Sequence, residues 1–326
     1  DASVPADLPQ SLDPIPPHSV PSLEWLTYAT DTYLNVVEGV RKPDVAILWY
    51  CEPDNSYHKM GPGAPENLAA IRHADAEFGR VLAELEGKDI NIITLSDHGQ
   101  LGIPDEAIDL PARLSAAGYS AGEALTEGID VAVALSSAGG LYVRNSNSDM
   151  ISRIVEWLLE QPWCGPLFTR GGAVPGTLDL ADVGMDHRRA PDIGLVLRSS
   201  DTPNSHGING TTVHNSIYPP GGGIHGSLHA KELHSWLAVG GNAFRNAYVS
   251  DTPTGIIDVL PTMLHVLGVK TPSVDGRVLV EALADFNDAP EHKSELLISE
   301  KSGGRQTQIE ISKVGETRYL DWGRLS

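Results

Sequence analysis

The chain has 326 residues, 41% of them hydrophobic, with 43 acidic side chains against 23 basic ones and a formal charge of −20. That field repels nucleic-acid duplexes and anionic membrane surfaces, so a polyanionic substrate needs local help such as bound cations. Only two cysteines, Cys51 and Cys164, are present, which excludes a disulfide framework, and no apolar run approaches the length that spans a bilayer.

The first eighteen or so residues read as an extended, proline-punctuated approach, unlike a signal peptide. The chain begins without Met, so any address label is expected upstream and the compartment stays open. From Ser22, the spacing of Leu23, Leu26, Leu34 and Val37 predicts a helix with Ser22 as its N-cap. Residues 44–50, DVAILWY, form a continuous apolar run, the mark of a strand covered on both faces. Residues 65–87 predict a long amphipathic helix closed by Gly87, and residues 89–99 a second buried strand. Strand, helix and strand in this order predict a parallel βαβ unit.

Farther on, the pattern predicts a helix over 105–118, short strands near 129–135 and 140–144, and a helix near 147–160. A strand over 192–200 leads into a long loop, 201–226, rich in Gly, His, Asn and Pro. Loops of that length in compact domains are functional or disordered. A strand over 235–241 and a helix over 254–268, with Pro261 inside it and Gly268 at its end, follow. SELLISE, QTQIEISKV and TRYLDWG read as a small antiparallel tail over 290–326. The expected architecture is one α/β domain over 1–326 with a mostly parallel central sheet flanked by helices. Residues 100–190 are expected to form an insertion or cap-like region.

In open α/β sheets, ligands bind beyond the carboxyl ends of the strands. Two predicted strands end in metal-type residues here: the first runs into Asp54 and His58, the second into Asp97, His98 and Gly99. A third candidate, His225, lies in GGGIHGS just before the strand at 235. Asp54 and His58, four apart, can point at one cation from a turn or a first helical turn. Asp97 and His98 are neighbours and face opposite ways on a strand, so they converge only once the strand has turned, which Gly99 helps. Carboxylate with imidazole suits zinc better than magnesium or calcium, and three ligands with an open position describe a catalytic rather than a structural site. Each piece alone is an ordinary turn. The order of the pieces is what points to a metal site.

These segments resemble the type I phosphodiesterase/nucleotide pyrophosphatase family of the alkaline phosphatase superfamily. EPDNSYHKMGP is similar to its EPD-x-x-x-H segment, LSDHGQ to SDHGM, GGIHGSLHAKELHSWLAVGGNAFR to its G-x-HG segment, and DVLPTMLHVLGVKTPSVDGRVL to its closing helix and DGR. The resemblance implies an alkaline phosphatase-like fold and two zinc ions: Asp54, His58 and His225 would hold one, Asp97 and His98 the other. It also implies a Thr or Ser nucleophile and further ligands upstream of this chain, so that the chain carries one complete three-ligand site and one half-site. The implied substrate is a small-molecule phosphate ester or nucleotide, with no nucleic-acid duplex as partner. Two alternatives stay open: a phosphonoacetate-type phosphonate hydrolase or phosphomonoesterase of the same superfamily, and a catalytically silent zinc-binding module.

Overall fold

The computed structural model describes residues 12–286 and 288–326; the start of the proline-rich approach lies outside them. Helix α1 spans Leu23–Thr32 and continues as a wider π-type helix over Tyr33–Arg41. Ser22 precedes it, but its hydroxyl donates to the Ser19 carbonyl and makes no cap, while its N–H donates to Glu52 at 2.7 Å. Helix α2 covers Asp54–Met60 and α3 covers Pro65–Leu85. Pro65 pre-sets the first turn of α3, and Asn67, Ala70, Glu77, Val81 and Leu85 recur at helical spacing on its buried side. That side meets α1, where Thr27 Oγ1 donates to Glu77 Oε1 at 2.9 Å and Arg80 reaches Asp31 at 2.5 Å.

Next come β1 (Ile92–Leu95), β2 (Leu101–Gly102), α4 (Leu110–Ala116), β3 (Ala121–Gly122), β4 (Val131–Leu135) and β5 (Ala138–Val143). They are followed by α5 (Ser148–Leu159), β6 (Cys164–Thr169), β7 (Leu178–Asp179), β8 (Ile193–Leu197), β9 (Ser199–Pro203) and β10 (Asn209–Thr212). The remainder is β11 (Gly223–Ile224), α6 (Ala230–Leu233), β12 (Leu237–Gly240), α7 (Val259–Val266), β13 (His292–Ile298), β14 (Thr307–Val314) and β15 (Thr317–Leu325).

The largest core lies on a six-stranded sheet of order β3-β4-β5-β8-β6-β7. Leu141, Leu167, Ile193 and Leu195 of this sheet, with Leu114 of α4 and Ile154 and Leu158 of α5, are sealed from solvent. Each such side chain contributes about 1.5–3 kcal/mol by its burial. The antiparallel tail forms as expected, in the order β13-β14-β15, and docks on this sheet through Ile309 and Ile311 against Phe168 and Leu180. Thr307 Oγ1 ties the two together, accepting from Leu167 N–H at 3.0 Å and donating to the Gly176 carbonyl at 2.7 Å.

The α/β class holds, but the sheets are mixed. Parallel pairs join β2 to β10, β3 to β4 and β6 to β7, and the other pairings are antiparallel. The expected parallel βαβ unit does not form. β1 pairs antiparallel with β12, Ile92 opposite Gly240 and Leu95 opposite Leu237. Residues 44–50 have no strand partner among the described residues, and Ile47 and Trp49 stay 85% and 66% exposed. An apolar run supplies side chains for a strand, but the ladder needs a neighbour, and none lies beside this segment. The 201–226 stretch is not a plain loop, since it holds the β9–β10 hairpin and β11.

Candidate metal centre

Three short pieces of backbone converge on one place. The first turn of α2 presents Asp54 and its last turn His58, four residues apart and so on one helical face. The turn after β1 presents Asp97 and His98, and the end of β11 leads directly to His225. β11 pairs with β2, Gly223 opposite Gly102 and Ile224 opposite Leu101, so the turn that carries His98 and the loop that carries His225 are fastened side by side. Gly99 completes that fastening: its N–H donates to the Glu232 carbonyl of α6 at 2.8 Å, and a Cβ there would overlap the Lys231 carbonyl.

Asp54 lies at the middle. Its Oδ2 is 3.4 Å from His58 Nε2 and its Oδ1 is 3.6 Å from His225 Nε2. Ligand atoms of Asp54, His98 and His225 all fall within 4.8 Å of one another. The His98 and His225 rings stack with centroids 3.6 Å apart, and His98 Nε2 is 3.4 Å from Asp97 Oδ2. Tyr218 closes the outer side, stacked on His58 at 4.0 Å.

The outward nitrogens fix the tautomers. His58 Nδ1 sits 2.9 Å from the Gly223 carbonyl and His98 Nδ1 sits 3.0 Å from the Gly99 carbonyl. A carbonyl only accepts, so Nδ1 carries the proton in each ring and Nε2 is left to face the cluster. Burial works against the Asp54 carboxylate, but the hydrogen bond from His58, the charges of His58 and His225 and the Gln100 amide outweigh it and hold its pKa below the ordinary value. Burial also opposes a charged His58, yet Asp54 and the Gly223 carbonyl overcome it and raise that pKa. At His225, burial and then the neighbouring His98 depress the pKa, against the pull of Asp54. A carboxylate and imidazoles that stabilise positive charge between them, with Nε2 atoms directed inward, fit a divalent ion.

Behind His225 lies Glu232, 2% exposed, which accepts a hydrogen bond from the Ser227 hydroxyl. Burial pushes its carboxyl from 4.5 up to about 8, against the N–H groups of Ser227, Gly226 and His229. A carboxyl whose pKa is higher in the folded state contributes fully below its unfolded pKa and loses that contribution as pH rises through the folded one. Glu232→Gln is therefore expected to leave the melting temperature unchanged near pH 4.5 and to raise it at pH above 8, by about 3 °C or more. Parallel curves of melting temperature against pH for the two proteins would contradict this.

With the geometry in view, comparison with known proteins is informative. Residues 19–200 match the model of the type I phosphodiesterase / nucleotide pyrophosphatase family. The chain belongs to that family. A bis(5'-adenosyl)-triphosphatase, ENPP4, of Pongo abelii is 26% identical over 231 residues, covering 69% of this chain and 44% of the relative. The protein of the same name from Homo sapiens is also 26% identical, over 232 residues. Venom phosphodiesterase 2 of Crotalus adamanteus is 32% identical over 77 residues, 22% of this chain and 10% of its own. The chain thus spans less than half the length of the curated relatives it matches. Among solved structures, murine ectonucleotide pyrophosphatase / phosphodiesterase 5, an inactive variant in complex with AMP, superposes with a TM-score of 0.56 at 16% identity, covering 82% of this chain and 66% of that one. That likeness shows the shared α/β fold.

The five residues singled out by sequence lie in one cluster. The tightest set is Asp54, His98 and His225, with His58 on the far oxygen of Asp54 and Asp97 beside His98. Other histidines of the 201–234 stretch serve structure. His214 is buried between the Asp105 carbonyl and Ser216, and His229 caps α6 by accepting from Lys231 N–H at 3.2 Å. Cys51 and Cys164 are both free thiols, Cys164 buried and pushed up to about 12 by that burial. Sequence reasoning missed Gln100, Tyr218, Glu232 and Ser137, whose hydroxyl donates to the His225 carbonyl at 2.6 Å. Only Gln100, adjacent to DHG, carried a signal that could have marked it.

Proposed function

We propose that this chain is the metal-binding part of a phosphoric ester hydrolase of the phosphodiesterase/nucleotide pyrophosphatase type, working with two divalent ions, zinc by donor chemistry. The observation that carries the reading is the convergence of Asp54, His98 and His225 from three separated segments. Asp54, His58 and His225 would hold one ion and Asp97 and His98 the other. When bound, such ions polarise phosphoryl oxygens and offset the negative field of an acidic protein.

The chain's own residues then have definite tasks. Asp54 supplies the carboxylate charge and orients two imidazoles at once. The Gly223 and Gly99 carbonyls hold protons on the outer nitrogens of His58 and His98, so the inner nitrogens stay available. Tyr218 shields His58 and narrows the approach from that side. By the family resemblance, a Thr or Ser hydroxyl nucleophile and further ligands N-terminal to Asp54 would complete the second site. The relatives' names favour a nucleotide or another small phosphodiester as substrate.

The test uses the full-length protein. Hydrolysis of bis(p-nitrophenyl) phosphate should disappear on chelation and return with zinc. Turnover that survives complete metal removal would refute the reading. Zinc binding with no hydrolysis of any phosphodiester would replace the enzyme by a silent zinc-binding module.

A further inference from the structure

We infer that Gln100 is a positioning residue for Asp54, holding one carboxylate oxygen so that the other is left for the ion; this rests on the metal-centre reading above. Gln100 Nε2 donates to Asp54 Oδ1 at 2.5 Å, across a sequence separation of 46 residues. It stands where the ligand-bearing segments meet. Its backbone links the DHG turn to β2, which pairs with β11 ahead of His225. Its amide reaches over to the first turn of α2.

The packing leaves it little choice of direction. A Cβ on Gly223 would come within 2.8 Å of Gln100 Oε1, so the amide lies against the β11 backbone, where only glycine leaves room. Oε1 itself is buried with no hydrogen-bond partner. A buried acceptor left without a partner destabilises the fold. A side chain that bears this cost while its N–H₂ is committed to Asp54 is held for the sake of the carboxylate.

The residue type matters as well. Methionine fills the same length of space but has no N–H, so it cannot fix a carboxylate oxygen. Hydrogen bonds to ligating carboxylates act this way, and their loss costs about 10- to 100-fold in metal affinity. In this chain Oδ1 takes the amide while Oδ2 lies toward His58, which favours one-oxygen ligation by Asp54.

The experiment is zinc titration of the chain against a competing chelator, for the wild type, Gln100→Met and Asp54→Ala, with the melting temperature of each metal-free protein alongside. Expected is a 10- to 100-fold weaker zinc affinity in Gln100→Met at a nearly unchanged metal-free melting temperature, and a larger loss in Asp54→Ala. Wild-type affinity in Gln100→Met with loss in Asp54→Ala would overturn the role of Gln100 and leave the metal centre standing. Wild-type affinity in Asp54→Ala as well would overturn the metal-centre reading itself. Where Gln100→Met unfolds, the side-chain amide protons of Gln100 decide by NMR. They should be shifted downfield and slow to exchange in the wild type, and lose both features in Asp54→Ala. Identical amide signals in the two proteins would refute the contact.

Discussion

Asp54→Ala is expected to lower kcat/KM of the full-length enzyme by roughly 10³-fold, since an ion at a phosphoryl centre contributes several kcal/mol to the transition state. The size follows from where Asp54 stands. Its two oxygens are shared among His58 at 3.4 Å, His225 at 3.6 Å and Gln100 at 2.5 Å, so no other carboxylate can replace it without rebuilding three contacts. Removing it leaves the inner nitrogens of His58 and His225 without their carboxylate partner. Asp54→Asn is the sharper control, because it keeps shape and removes charge. It should fall nearly as far, whereas a purely steric role would leave it close to wild type. Turnover within threefold of wild type for Asp54→Ala would sink the assignment.

Arg277→Ala is expected to destabilise the fold by about 3–5 kcal/mol, the range for removing one partner of a buried ion pair. The Arg277 guanidinium clasps Glu281 with two hydrogen bonds, at 2.6 and 2.8 Å, and Glu281 is 1% exposed. Its Nε donates to the Tyr319 hydroxyl at 3.0 Å, and that hydroxyl donates to the fully buried Asp258 at 2.9 Å. The network therefore joins β15 to the segment that carries α7. Burial opposes the charge on Arg277, but Glu281 outweighs it and keeps the guanidinium ionised, so the penalty on removal falls on Glu281. Urea unfolding of Arg277→Ala, Glu281→Ala and the double variant measures this directly. Arg277→Ala should be worse than the double variant predicts by additivity. A loss under 1 kcal/mol, or strict additivity, would show that the pair is not coupled.

The parts of the fold legible in sequence are those that carry their own signal. Residues 131–135, 148–159 and 193–197 match the predicted elements because their own periodicity and bracketing turn residues carry the signal. The DVAILWY run misled for the opposite reason. Its composition says buried strand, but burial depends on what covers the segment, and among the described residues Ile47 and Trp49 stay 85% and 66% exposed. The direction of β1 was equally out of reach, since its partner β12 lies far along the chain and hydrophobic pattern does not encode orientation. In the site, residue type carried a signal in sequence and contact geometry did not. Asp54, His58, Asp97, His98 and His225 stand out as residue types at strand ends. Which imidazole meets which oxygen depends on the 2.8 Å contact between Gly99 and Glu232 and on the short β2–β11 pairing. Tyr218 and Ser137 act through position alone and leave no mark in sequence.

The central claim is that a single cluster of carboxylate and imidazole donors holds zinc, and X-ray absorption at the zinc edge of the zinc-loaded chain tests it most directly. The account predicts a first shell of nitrogen and oxygen at about 2.0–2.1 Å, with the outer-shell signature of at least two imidazoles and no sulfur. A sulfur scatterer near 2.3 Å would assign the metal to Cys51 or Cys164 and contradict the account, as would a shell of oxygen alone.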